Sequence, residues 1–337
     1  VRIGIVAPPW APVPPAAYGG IEVVVDLLAR GYESAGHEVR LFATGDSTCP
    51  VPRAYAFLSA IGDRMGASLP ESVHVLAAYD ALAGCDVVHD HTLLGPLLAP
   101  EGLPVLTTAH GPLTGEWAAL YERIARRASI VCISHAQRRS APQVDVRRVI
   151  HHGIDADRFP VGRGEGGYVL FLGRMSPDKG AHRAVAAARE AGVPLKLAAK
   201  MRSADEHTYY TDLVEPILGP AAEYVGEVDE RRKLDLLANA RALLFPIRWS
   251  EPFGLVMVEA LACGTPVIAY PEGAAPEVIE DGLTGYFADS IAEMAEAITK
   301  IATIDRAACR ASVTGHFSAQ RMVDEHLELI AEMKSSG

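Results

Sequence analysis

Twice along this chain, short apolar runs alternate with amphipathic stretches at the spacing of strands and helices. The first series opens with "RIGIVAPP" (2–9), a strand pattern. It continues through "GGIEVVVDLLARGYESAG" (19–36), a helix ended by Gly36, into a second strand, "HEVRLFATG" (37–45). "CDVVHDH", "LPVLTTAHG" and "SIVCISH" follow as strands, with "EWAALYERIARRA" helical between the last two. The second series restarts at "YVLFLGRM" (168–175) and runs through "PLKLAAKM", "AEYVGEV", "RALLFPI" and "TPVIAY" (265–270), mostly with helices between. Strands that are apolar on both faces and separated by helices imply parallel sheets covered on both sides. Two such series imply an α/β chain of two doubly wound, Rossmann-like domains, and 337 residues is ample length for both.

Between the series lies "FPVGRGEGG" (159–167), a linker pattern. Its "GRGEGG" superficially suits a dinucleotide fingerprint, but that motif must follow a strand and open a helix, whereas this one precedes a strand. The expected division is 1–157, 158–318 and a terminal helix, 319–337, whose "FSAQRMVDEHLELIAEM" is amphipathic and packs back across the domains. In doubly wound sheets, ligands bind beyond the carboxyl ends of the strands. With two such domains the expected site is a deep cleft between them.

Composition removes several classes of function. No apolar run reaches the ~18–20 residues that span a bilayer. The five cysteines are scattered and form no C-x-x-C pair, which argues against a disulfide framework or a thiolate zinc site. A formal charge of −11 disfavours general nucleic-acid binding. No secretory leader is visible, so the expected location is cytoplasmic.

Two stretches carry chemistry. "LFLGRMSPDKG" puts Arg174 and Lys179 in a strand-to-helix loop closed by Gly180. Free N–H groups at a helix start, with two cations, make a diphosphate cradle; two solvated surface cations are the plainer reading. "SEPFGLVMVEALACG" places Glu251 in a loop before Pro252 and Glu259 inside the following helix. A glycoside hydrolase needs its carboxyls ~5–9.5 Å apart, while eight residues of helix span ~12 Å. That spacing better suits two carboxylates clamping separate sugar diols, although a glutamate near a helix N-terminus is favourable for the dipole alone.

Together these stretches resemble the C-terminal domain of retaining glycosyltransferases of glycosyltransferase family 4, which have the two-domain GT-B fold. The resemblance rests on "FLGRMSPDKG", "EPFGLVMVE" (the E-x7-E motif), "EALACGTPVIA" and "PEVIEDGLTGYF". "YGGIE", "TTAHG" and "HHGIDADRF" extend it over nearly the whole chain. It implies transfer of a hexose, with retention, from a nucleoside diphosphate sugar to a hydroxyl acceptor such as a glycan, glycolipid or natural product. UDP-glucose and GDP-mannose are both compatible donors, and no metal or other cofactor is implied.

The family's roles then fall on particular residues. Arg174 and Lys179 would hold the diphosphate, with Gly173 beside them. Glu251 would bind donor-sugar hydroxyls, and the backbone N–H groups of Phe253, Gly254 and Leu255 would face sugar and phosphate. Glu259 would accept from the ribose. His110 would touch the donor sugar from the first domain, and Gly19 and Gly20 would admit phosphate or acceptor to the backbone. One departure is plain: the family usually shows Asn-Gly-(Val/Ile)-Asp where this chain has His152-Gly153-Ile154-Asp155, so His152 is given no catalytic role.

Three further features have competing readings. "DAD" (155–157) mimics a metal-binding D-x-D but does not follow a strand. "HDH" (89–91) puts two imidazoles at a strand end, which would seed a metal site with a third ligand and otherwise forms a polar wall on the acceptor side. Seven arginines lie between Arg123 and Arg148 with Asp145 as the one acid. They make either a solvated face, a site for an anionic acceptor, or a peripheral contact with the inner membrane surface. Two rival functions share the fold pattern: a nucleotide-sugar epimerase, and a two-lobed sugar-binding protein that needs no cationic loop.

Overall fold

The computed structural model describes residues 1–16 and 19–335, and it divides into two compact units, Val1–Ile154 with Ala319–Gly337, and Asp155–Ser318. The division falls just ahead of the linker expected from sequence.

The first unit is built on a 7-stranded sheet. Its strands are β1 (Arg2–Val6), β2 (Glu38–Phe42), β3 (Arg53–Ala54), β4 (Val87–Asp90), β5 (Val105–Ala109), β6 (Ser129–Cys132) and β7 (Val146–Val149). They lie in the order β3-β2-β1-β4-β5-β6-β7, every pairing parallel. The central β4 and β5 are buried at every position, His89, Asp90, Thr107 and Thr108 included, so neither shows the in-and-out alternation of a half-solvated strand. Helix Gly20–Ser34 follows β1 and buries Val24, Val25, Leu28, Ala29 and Tyr32 as a helical stripe.

The C-terminal helix, Ala319–Ser335, belongs to this first unit. Met322, Val323, His326, Leu329 and Ile330 form its buried face. Val323 sits against Gly31 so closely that a Cβ added there would lie 2.3 Å from its Cγ2. The helix therefore packs on Gly20–Ser34 at van der Waals distance.

The second unit carries a 6-stranded sheet in the order β10-β9-β8-β11-β12-β13, again all parallel. These strands are β8 (Val169–Arg174), β9 (Leu195–Lys200), β10 (Ala222–Gly226), β11 (Leu243–Phe245), β12 (Val267–Ala269) and β13 (Gly285–Phe287). The glycine-rich stretch before β8 opens no helix. Gly162 and Gly166 donate to Cys263 O (3.0 Å) and Asn239 O (2.9 Å), and the Arg306 guanidinium returns a bond to Gly162 O (2.8 Å). This segment is fastened to its own unit along its length.

Candidate functional site

In the second unit the candidate residues gather at the carboxyl ends of β8 and β11. Arg174 ends β8 and faces Asp178 (3.7 Å) and Glu206 (3.9 Å), with its side chain 42% exposed. In the β8–β9 register Arg174 is paired with Lys200, which ends β9. Burial, with Arg202 nearby, lowers the Lys200 ammonium from its ordinary pKa. Lys200 was not singled out in the sequence, where it closes an apolar strand without the second cation and glycine that marked the Arg174–Lys179 loop.

The turn after Arg174 is held from outside. Arg183 donates from Nε to Pro246 O (2.7 Å) and from Nη2 to Pro177 O (3.1 Å) and Asp178 O (3.2 Å). Arg248 N donates to Asp178 O (3.0 Å). The loop carrying Lys179 and the loop carrying Glu251 are thus bonded to each other through guanidinium and backbone.

Lys179 and Glu251 meet as an ion pair, with side chains 13% and 14% exposed. Beneath the ammonium lies the Trp249 ring, 4.9 Å from Nζ to centroid, so a cation–π contact adds to the pair. The reading of Lys179 as a freely solvated surface cation does not hold.

Glu251 is fixed by its own backbone. Its N–H donates to Trp249 O (2.8 Å), and its carbonyl accepts from Ala274 N (3.0 Å). Gly273 makes that approach with φ +56, and a Cβ there would lie 2.4 Å from both N and O of Glu251. Only glycine fits such a position.

Helix Leu255–Ala262 starts from Gly254, whose φ of +83 turns the chain into it, and no side chain caps its first turn. Met257, Val258, Ala260, Leu261 and Ala262 are its buried residues. The Phe253 side chain is core, 2% exposed and edge-on to Phe317 at 6.0 Å, so only its backbone is available to a ligand. Glu259 leaves the helix toward Lys233 of helix Glu230–Asn239, at 2.6 Å. Lys233 is another residue missed in sequence, where it stood in an ordinary charged run. Gly173 meets nothing nearer than Phe171 Cζ at 3.8 Å when a Cβ is added. The protein's own packing does not require glycine there.

In the first unit, Gly19 is extended and precedes Gly20, the first residue of its helix; Tyr18 of the "YGGIE" motif lies outside the described residues. A Cβ on Gly19 would come within 2.7 Å of Pro15 Cβ and 2.8 Å of Glu22 Oε2. His110 follows β5 and shares a 2.9 Å hydrogen bond, Nε2 to Nδ1, with His91. Around it is a chain of imidazoles. His326 to His89 is 5.0 Å between ring centroids, His89 to His91 is 4.1 Å, and His110 to His152 is 5.3 Å at 23°. Burial keeps these rings neutral: it lowers His110 to about 3 and His326 to about 4, and holds His89, His91 and His152 well below the ordinary value. Residue-by-residue reading found two members of this cluster as a pair and could not find His326, which is remote in sequence.

The other features resolve into local structure. Asp155 accepts from Asp157 N (3.2 Å) and Asp157 pairs with Arg310 (3.4 Å). Among the described residues no group of three or more His, Cys, Asp or Glu side chains is arranged to hold a metal ion. Arg147 and Arg148 pair with Glu332, and Arg148 also with Glu328, so the C-terminal helix neutralises part of the basic segment. All five cysteines are buried and unpaired. No helix among the described residues is long and apolar enough to cross a membrane.

Comparison with known proteins agrees across both units. Residues 18–158 match the model described as Glycosyltransferase Family 4, and residues 154–312 match that of Glycosyl transferases group 1. Alpha-maltose-1-phosphate synthase of Mycobacterium tuberculosis is 28% identical, covering 93% of this chain and 92% of its own length. Phosphatidyl-myo-inositol mannosyltransferase of Mycolicibacterium smegmatis is 28% identical over 85% of this chain and 80% of its own. Among solved structures, AviGT4, a glycosyltransferase involved in avilamycin A biosynthesis, superposes with a TM-score of 0.77 at 25% identity, covering 100% of this chain and 98% of its own. HepE of Anabaena, solved with UDP and glucose, gives a TM-score of 0.77 at 18% identity, over 98% and 99%. With two parallel Rossmann-like sheets and matches running from residue 18 to residue 312, the chain belongs to the family 4 glycosyltransferases of GT-B fold.

Proposed function

We propose that this protein is a retaining, metal-independent hexosyltransferase that uses a nucleoside diphosphate sugar, UDP-glucose or GDP-mannose, and a hydroxyl acceptor. The observation that carries this reading is the arrangement beyond the strand ends of the second sheet: two carboxylates, Glu251 and Glu259, each set against a lysine, with Arg174 closing β8. Sugar and ribose diols need acceptors of this kind, and a diphosphate needs the cations. Two relatives support a sugar-phosphate or sugar-lipid product by their names, and HepE has been solved with UDP-glucose.

In this reading the donor's C1–oxygen bond to the diphosphate breaks as the acceptor oxygen bonds C1 on the same face. The acceptor's proton passes to the departing phosphate oxygen, so no protein base is required. Arg174 and Lys179 stabilise the negative charge that grows on the diphosphate, a stabilisation larger in the transition state than before it. Glu251 holds sugar hydroxyls once the donor displaces it from Lys179. Glu259 accepts from the ribose, and His110 contacts the sugar. No metal is needed if the two cations fill its charge role.

Thermal shift with UDP, GDP, ADP and their sugars tests this reading. A ligand at 100 times its Kd stabilises by ~2.7 kcal/mol. Stabilisation by none of them contradicts it, and turnover to an epimer without acceptor would favour the epimerase instead.

A further inference from the structure

His110 is held on two sides by other imidazoles. His91 bonds its Nε2 at 2.9 Å, and His152 lies nearly parallel to it, 5.3 Å between centroids. Both neighbours are themselves fixed: His91 is 3% exposed and His152 4%. His89 lies against His91, 4.1 Å between centroids, with its own nitrogens bonded to Tyr32 Oη (3.0 Å) and Thr108 Oγ1 (2.8 Å). The C-terminal helix secures the His152 segment, since Arg321 donates to His151 O (2.6 Å) and Met322 Sδ accepts from Gly153 N (3.3 Å).

This packing also selects a tautomer. Burial keeps both His91 and His110 neutral, so a single proton lies between His91 Nδ1 and His110 Nε2. Nε2 of His91 is buried without a partner among the described residues. If His91 carried its proton there, a buried N–H would be orphaned, which folded proteins avoid more strictly than an unused acceptor. The proton therefore sits on His91 Nδ1 and is donated to His110 Nε2. His110 must then carry its own proton on Nδ1, the ring nitrogen with no partner among the described residues.

We propose that His91 and His152 are positioning residues for His110, fixing its plane and its Nδ1–H tautomer so that it offers a hydrogen-bond donor to an oxygen of the donor sugar. The proposal rests on the reading that His110 contacts that sugar. It also gives a role to His152, which stands where the family usually has asparagine.

The test uses the full chain with 15N-labelled imidazoles, together with hydrolysis of UDP-glucose and GDP-mannose. Long-range proton–nitrogen spectra are expected to show His110 protonated at Nδ1. A ring protonated at Nε2 overturns the proposal without any variant being made. His91→Phe keeps the ring volume but removes the donor, and is expected to lower kcat by about 10²-fold, the scale of a misplaced catalytic group. His91→Asn, whose amide can donate from nearly the same point, should recover activity to within about tenfold and restore the tautomer. His152→Phe should retain activity by preserving the stack, and His152→Ala should lose it. Measured alongside, His110→Ala separates two failures. If it is near wild type, the sugar-contact reading is wrong; if it is inactive while His91→Phe is not, the positioning claim alone is wrong.

Discussion

Lys179 and Glu251, 72 residues apart in sequence, form one ion pair whose two side chains are almost equally shielded from water. Each is therefore the other's counter-charge before any donor arrives. Removing one leaves a partly buried charge uncompensated, so the two residues do not act independently. In a double-mutant cycle, Lys179→Ala should lower kcat by ~10²–10³, the scale for one preorganised donor. Lys179→Arg should recover only part of this, because a planar fork replaces a compact charge. Lys179→Ala with Glu251→Ala should lose less than the product of the single losses, a coupling of about 0.5–3 kcal/mol. Strictly multiplicative losses would show that the pair has no functional meaning.

Glu259 faces Lys233, on the neighbouring helix, rather than the Lys179 loop. Glu259→Ala should weaken the binding of UDP or GDP alone, since the ribose is its proposed partner. Glu251→Ala should not weaken free-nucleotide binding, because it frees Lys179 for the diphosphate, and its damage should fall on sugar-dependent steps. Calorimetry with the nucleotides decides this, and equal losses in both variants would refute the division of roles.

The imidazole cluster makes the first unit sensitive to acid. His74, His89, His91, His110, His152 and His326 all have folded pKa values lowered below the ordinary 6.5, chiefly by burial. Below pH 6.5 the unfolded chain binds protons that the folded chain refuses. Stability is thus fully present above that value and falls as the pH drops toward the folded values, about 4 for His74 and His326 and about 3 for His110. Each such group costs about 1.4 kcal/mol per pH unit within its window. Asp90 works in the opposite direction, because burial raises its carboxyl to about 6, and it offsets one histidine. Melting temperature should fall steeply between pH 6.5 and 5; a flat profile there would contradict neutral burial of the cluster.

Gly273→Ala tests whether the backbone around Glu251 is as constrained as it looks. The added Cβ would collide with Glu251 N and O at 2.4 Å, and φ is +56, so the loop must shift. Transfer should fall by about 10²-fold with nucleotide affinity nearly intact. Unchanged kcat would show that Glu251 tolerates displacement.

Much of this architecture was legible in the sequence because buried parallel strands open on consecutive apolar residues, as in Val87-Val88 of β4, Val105-Leu106 of β5, Val169–Leu172 of β8 and Val267–Ala269 of β12. β3, β7 and β13 escaped notice, and all three are sheet edges. Edge strands are short and polar by necessity, and "VRRV" or "GYF" carries no apolar run to detect. At the site, Arg174, Lys179 and Glu251 were visible as charges at strand ends or helix starts, and Glu259 as the second acid of the E-x7-E motif. Lys200, Lys233, Trp249 and Arg183 were not, because their significance comes only from what folding brings beside them. His152 was set aside for departing from a pattern, yet it stacks on His110.

The central claim, hexose transfer with retention and without a metal, is tested most directly by following the first turnovers of UDP-glucose or GDP-mannose in EDTA by proton NMR. The account expects turnover undiminished by the chelator and a product whose anomeric coupling is that of the donor. An inverted anomer would contradict retention. An enzyme silenced by EDTA and revived by Mn²⁺ would contradict the role given to Arg174 and Lys179.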